Sequence, residues 1–198
     1  VETERERVGV FGGSFDPPHV GHVLLATWAL SAGGIDRLIV VPTFAHVFGK
    51  KSAPFEDRVT MARAAFSILD PARVEVSRIE ERLPPPSFTI HTLRALSEEH
   101  PGAAFRLLVG ADVLGALPRW HDVEGIEAIA PLLVGGRSGH AASAEGRSVE
   151  ADVPSFPEVS STVIRARLAA GQDVRSLVPE LVLTHLRARG LYRVEELP

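Results

Sequence analysis

The chain has 198 residues, an apolar fraction of 45% and a net charge of -4, which suits one compact domain with a real core and gives no broad attraction for nucleic acid. It contains no cysteine, so a disulfide scaffold, a thiolate metal centre and a cysteine nucleophile are excluded. The charged start "VETERERVGV" runs straight into a strand-like stretch and no apolar run is long enough to cross a bilayer, so no signal peptide and no membrane partner are read, and a cytoplasmic protein is expected.

In chain order, Val8–Gly12 reads as a short buried strand ending in glycines, and Val20–Ala32 as a helix stopped by Gly33 and Gly34. Arg37–Val41, "RLIVV", is a continuous apolar run of the kind a strand covered on both faces carries. The loop "TFAHVFGKKSAP" follows Pro42 and holds the only two lysines, Lys50 and Lys51. Phe55–Leu69 has helical spacing, with Val59, Ala62, Phe66 and Leu69 on one side, and stops at Asp70-Pro71. "RVEVSRI" alternates as a strand does; after the loop "ERLPPPS", Phe88–His100 reads as a helix. "FRLLVG" is another buried strand ending in glycine, followed by a short helical stretch and a further strand, "PLLVGG". Arg137–Ala151 is small, polar and aperiodic and is read as an exposed, mobile loop. Residues 160–198 form a C-terminal helical part, with helices near Thr162–Ala170 and Pro179–Arg189 and with Gly171 and Gly190 where C-terminal caps belong. There is no repeat and no linker, so residues 1–198 are read as one domain.

Strands alternating with helices predict an α/β fold, a doubly wound parallel sheet with helices on both faces. Ligands of such sheets bind beyond the carboxyl ends of the strands. Gly12-Gly13, Pro42–Lys51, Gly110–Asp112 and Gly135-Gly136 all follow strands and are expected on one rim.

The stretch "VGVFGGSFDPPHVGH" has neither the G-x-G-x-x-G of dinucleotide sites nor the G-x-x-x-x-G-K-[ST] of a P-loop. Its context still suits phosphate: a strand, then glycines that allow a tight turn, then a helix start with open N–H groups and partial positive charge. His19 and His22 are three apart, so they share a helix face, and Gly21 between them obstructs nothing. An isolated H-x-x-H pair is ordinarily incidental, and a lone Gly-Gly is ordinarily a turn. As a zinc site the pair lacks partners of clear spacing apart from Asp16, so no protein-held metal is expected. The combination is far more specific than its parts.

"GGSFDPPHVGH" resembles the signature of the H-x-G-H nucleotidyltransferases, and within them the nicotinate mononucleotide adenylyltransferases. "SFTIHTLRAL" (Ser87–Leu96), "GADVLGALPRW" (Gly110–Trp120), "VSSTVIRARL" (Val159–Leu168) and "RGLYR" (Arg189–Arg193) resemble further segments of that family, in order along nearly the whole chain. The resemblance implies a Rossmann-like nucleotidyltransferase fold and adenylyl transfer from ATP to nicotinate mononucleotide, giving deamido-NAD and pyrophosphate. It assigns His19, His22 and Arg165 to catalysis. Gly12, Gly13, Ser14, Phe15, Gly21, Gly110, Asp112, Ser160, Ser161, Thr162, Lys50 and Lys51 would contact ATP, and Thr89, Trp120 and His46 the acceptor. Magnesium would arrive with ATP rather than in a protein cage.

Each assignment has a plainer rival. Ser160–Thr162 suit a helix cap, Arg165 a solvated helix residue, Asp112 an N-cap, Thr89 a first helical residue, and Trp120 a core position like Trp28. The loop after the second strand departs from the family's P-P-H-[KR], with His46 and Lys50-Lys51 at altered spacing, and His121 follows Trp120 where relatives carry an aromatic. The acceptor is therefore open to nicotinamide mononucleotide or phosphopantetheine. A non-catalytic nucleotide-binding regulator is the alternative of another class, and a homo-oligomer is left open.

Overall fold

The computed structural model describes residues 5–45, 52–137, 155–156 and 159–192. His46, Lys50, Lys51 and residues 138–151 of the expected mobile loop lie outside these. Among the described residues, six strands pair in parallel in the order β3-β2-β1-β4-β5-β6: β1 (Arg7–Gly13), β2 (Arg37–Pro42), β3 (Val74–Val76), β4 (Ala104–Gly110), β5 (Leu132–Arg137) and the two-residue β6 (Ser155–Phe156). This is the doubly wound arrangement, with its reversal between β1 and β4.

Side-chain alternation along the strands sorts the core into two layers. Leu38 and Val40 of β2, Phe11 of β1 and Leu108 of β4 face one cluster, while Ile39, Val41, Val10, Leu107 and Val109 face the other. The first layer is covered by α1 (Val20–Ser31), α2 (Phe55–Phe66), α5 (Ser161–Ala169) and α6 (Glu180–Arg189). The second is covered by α3 (Thr89–Glu99) and α4 (Val123–Ile129). Ile164 of α5 and Val182, Leu183 and Leu186 of α6 are buried in the same cluster as Leu25 and Ala62, so the C-terminal helices share the main core. No helix among the described residues is long and apolar enough to cross a membrane.

The register lines up the strand ends: Gly12 stands opposite Val41, Gly13 opposite Pro42 and Gly110 opposite Gly135. The expected glycine rim is therefore a structural fact at Gly12-Gly13, Gly110 and Gly135. Some boundaries differ from expectation. The strand expected over Arg73–Ile79 is cut to Val74–Val76, because the chain turns into a 3₁₀ segment, Ile79–Arg82, that buries Ile79 and Glu80. α2 ends at Phe66, and Leu69 closes a turn by donating to the Phe66 carbonyl. Gly190 caps α6 with φ of 65°, a left-handed conformation glycine adopts without strain.

Candidate active site

The loop from β1 to α1 is held by its carbonyls. Arg58, buried in α2, donates from Nη1 to the Ser14 carbonyl at 3.0 Å and from Nε to the Ala53 carbonyl at 3.0 Å. Arg165 of α5 donates from Nη1 to the Asp16 carbonyl at 2.6 Å, and Ser161 Oγ donates to the Pro17 carbonyl at 2.9 Å. The oxygens of residues 14, 16 and 17 are thus turned toward protein donors. A polyanion approaching this loop is spared their repulsion. Burial pulls the Arg58 guanidinium below its ordinary pKa, and the Asp16 carboxylate opposes that pull.

His19 is the N-cap of α1, and its backbone N–H donates to His22 Nδ1 at 3.1 Å. This is the return half of a capping box, with a histidine in the usual Glu or Gln place. Because Nδ1 accepts, the proton of a neutral His22 sits on Nε2, the outer nitrogen. The rings of His19 and His22 lie 3.7 Å apart, and His22 is braced by Phe15 at 5.2 Å and Phe11 at 5.9 Å. A Cβ on Gly21 would sit 3.1 Å from His19 Nδ1. Any other residue there would push the imidazole aside.

α5 begins beside this loop. The Ser160 side chain accepts from the Val163 N–H at 3.3 Å, and Arg165 Nη2 donates to Thr162 Oγ1 at 3.3 Å. The helix-cap reading of Ser160 is therefore correct. The solvated-arginine reading of Arg165 is not, since that side chain is tied to the Asp16 carbonyl. Two helix N-termini, two imidazoles and one guanidinium meet at the end of β1. The Phe15 ring is 1% exposed and packs on Phe11 and Phe66, so its backbone is the part of this residue left to face the loop's outer side.

On the other layer a cleft of about 220 Å³ is lined by Gly12, Gly13 and Ser14 together with Thr89 and Trp120. The structure thus joins residues expected at the two substrates. Glu80, Thr43, Ser87 and Thr92 also line the cleft and were not anticipated. Glu80 is buried, accepts from the Phe44 N–H at 2.8 Å and from Thr92 Oγ1 at 2.9 Å, and so fastens the loop after β2 to α3. Ser87 and Ala45 exchange two further bonds, at 2.9 and 3.0 Å. Trp120 lines the cleft and also packs, partly buried, against the α3–α4 core. Asp112 sits at the rim just past β4, close enough that a Cβ on Gly110 would meet its Oδ1 at 2.5 Å. Neither Asp112 nor the His19–His22 pair lines the cleft.

Behind the loop, Asp16 is 1% exposed, and its Oδ1 accepts from Tyr192 Oη at 2.7 Å and from the Ala53 N–H at 2.9 Å. Burial first, and then the Asp16 carboxylate, push the Tyr192 phenol far above its usual pKa. An unfolded tyrosine ionises near pH ~10. The folded chain therefore holds this proton more tightly than the unfolded one. The stabilisation is complete below pH ~10 and is lost as pH climbs from there through the folded value. Tyr192 is the only tyrosine in the chain, so phenolate absorbance reads it alone. Native protein titrated past pH ~10 should stay dark until it unfolds, whereas the urea-unfolded chain should titrate normally.

Residues 10–167 match the profile of the cytidylyltransferase-like family. An Anaeromyxobacter dehalogenans protein bearing the name "Probable nicotinate-nucleotide adenylyltransferase" is 43% identical over 94% of this chain and 96% of its own length. A Myxococcus xanthus protein of the same name is 35% identical over 97% of both. Among solved structures, the Plasmodium falciparum nicotinic acid mononucleotide adenylyltransferase complexed with NaAD aligns over 95% of this chain and 98% of its own, with a TM-score of 0.75 at 16% identity; that likeness speaks to the fold. The chain therefore belongs to the cytidylyltransferase-like nucleotidyltransferases, and among them to the nicotinate-nucleotide adenylyltransferases.

Proposed function

We propose that residues 1–198 act as one domain that moves the adenylyl group of ATP to nicotinate mononucleotide. A P–O bond forms between the acceptor phosphate and the α-phosphorus, the bond to the β-phosphate breaks, and deamido-NAD and pyrophosphate leave. The observation that carries this reading is the junction at the end of β1, where Ser161 and Arg165 are bonded to the carbonyls of Pro17 and Asp16 beside the stacked histidines.

The acceptor phosphate has a second pKa of about 6 and is already a nucleophile near neutral pH. Catalysis then reduces to alignment and to stabilising charge that builds on the departing pyrophosphate. His19 and His22, with the amides of α1 and α5 and the backbone of Gly12, Gly13, Ser14, Phe15 and Gly21, receive the triphosphate. Arg165 meets the leaving group. Ser160 and Thr162 shape the start of α5, and Gly110 and Asp112 face the nucleoside. Thr89 and Trp120 hold the acceptor in the cleft, Trp120 by stacking. Roles for Lys50, Lys51 and His46 rest on sequence alone. Magnesium enters as part of the ATP substrate. Its coordination would come mainly from phosphate oxygens and water, as is usual for magnesium at nucleotide sites. ATP as donor suits work in the cytoplasm.

The test is pyrophosphate release from magnesium-ATP with nicotinate mononucleotide, nicotinamide mononucleotide and phosphopantetheine offered in turn. The first should be used best. Preference for another acceptor overturns the specificity, and ATP binding without turnover on any of them marks a regulator. Trp120→Ala should raise KM for the preferred acceptor roughly tenfold or more, the scale of one lost stacking contact, while KM for ATP holds.

A further inference from the structure

Resting on the proposed reading, we infer that Tyr192, near the C-terminal end of the described chain, is a positioning residue for the triphosphate site, acting on Arg165 through Asp16. The contact spans 176 positions of sequence: Tyr192 Oη donates to Asp16 Oδ1 at 2.7 Å. The other oxygen, Oδ2, is buried without a hydrogen-bond partner among the described residues and stands 3.5 Å from Arg165 Nη1, the nitrogen that holds the Asp16 carbonyl. One carboxylate therefore has two neutral donors on one oxygen and a cation beside the other.

A buried carboxylate must be satisfied by hydrogen bonds or charge. The Tyr192 hydroxyl and the Ala53 N–H keep Oδ1 occupied and fix the plane of the carboxylate. That leaves Arg165 held mainly through the backbone carbonyl, with a direct ion pair kept long. Without the hydroxyl, the under-bonded carboxylate turns to its nearest cation, and Arg165 is drawn inward onto it. A guanidinium clamped by a buried carboxylate is a poorer partner for departing pyrophosphate. Tyr192 thus reaches the triphosphate site through two side chains, Asp16 and Arg165. The same geometry puts Arg58 in the field of Asp16, but Arg58 is already committed to the carbonyls of Ser14 and Ala53 and is not the group that moves.

Tyr192→Phe keeps the ring and removes the donor. Its kcat should fall roughly ten- to a hundredfold, the scale of one hydrogen bond to a charged group, with acceptor KM within about twofold of wild type. In the background of Arg165→Lys the same change should add almost nothing, because the residue it acts on has already been altered. Affinity for magnesium-ATP, measured by calorimetry with no acceptor present, should weaken in Tyr192→Phe. A lowered melting temperature with wild-type kcat and ATP affinity would reduce Tyr192 to a structural residue, and full additivity with Arg165→Lys would remove Arg165 from the path. The calorimetric arm does not depend on the acceptor. If wild type turns over none of the mononucleotides, the functional reading fails while unequal ATP affinities still support the inference. If wild type binds no ATP, both fail.

Discussion

Replacing His22 with alanine is expected to cut turnover on the order of 10²–10³-fold, the usual loss when one preorganised donor to a developing charge is removed. The residue's surroundings suit it to that proposed role. Its Nδ1 is occupied by the His19 N–H, which leaves Nε2 as the proton-bearing nitrogen. Its ring is pinned between His19 and the edges of Phe11 and Phe15. A ring so held needs little reorganisation to act on a triphosphate bound as proposed. The structural share of the loss is separable. Alanine also leaves the N-cap N–H of α1 without its side-chain partner, which costs about 1 kcal/mol, as lost caps do. Glutamine at this position restores that return bond, because Gln is a normal third residue of a capping box. His22→Gln is therefore expected to melt close to wild type and still to lose most of its turnover. Parallel measurement of melting temperature and of kcat decides the matter: if glutamine restores both, His22 is a cap, and if alanine leaves kcat intact, it has no part in catalysis.

The legible parts of this chain were those with a local signature. A strand buried on both faces cannot hide its apolar run, so "RLIVV" announced β2, and the chain alternates strands with helices often enough to announce the parallel sheet. The rim followed, because a glycine pair after a strand is a short-range feature. The partnerships that hold the site together were not legible. Glu80 and Glu81 are adjacent and chemically identical, yet Glu80 is buried in the wall of the cleft while Glu81 pairs with Arg78 at the surface. Only the 3₁₀ turn decides which is which. Asp57 and Arg58 are both buried, against the expectation for consecutive charges. Asp57 is paired by His185 and Arg189 of α6, and Arg58 by two carbonyls. Tyr192 meets Asp16 across almost the entire chain. Contacts of that kind leave no period in the sequence. Phe15 shows another limit: the motif names the residue, but that its aromatic ring packs against His22 rather than facing outward follows from the tertiary packing alone. β6 is two residues long, too short for any alternation to show.

In its proposed role Arg165 is a fixed guanidinium at the leaving pyrophosphate, so Arg165→Ala is expected to lose turnover by a similar factor, on the order of 10²–10³-fold. Unlike His22→Ala, it should also expose a buried charge. The alanine removes the donor to the Asp16 carbonyl and the cation placed 3.5 Å from Asp16 Oδ2. About 1–3 kcal/mol is the scale for leaving such a buried acceptor unsatisfied, with Arg58 still nearby to limit the loss. Lysine should recover part of the stability and little of the rate. A planar fork can hold the Asp16 carbonyl from Nη1 and Thr162 Oγ1 from Nη2 at once and still present an edge outward, whereas an ammonium must choose among them. Denaturant midpoints and kcat for the alanine and lysine variants therefore separate the two duties of this side chain. Stability restored by lysine with kcat still low supports the division. Restoration of kcat along with stability would mean that a point charge suffices at the pyrophosphate and that the planar shape of the guanidinium contributes nothing to the rate.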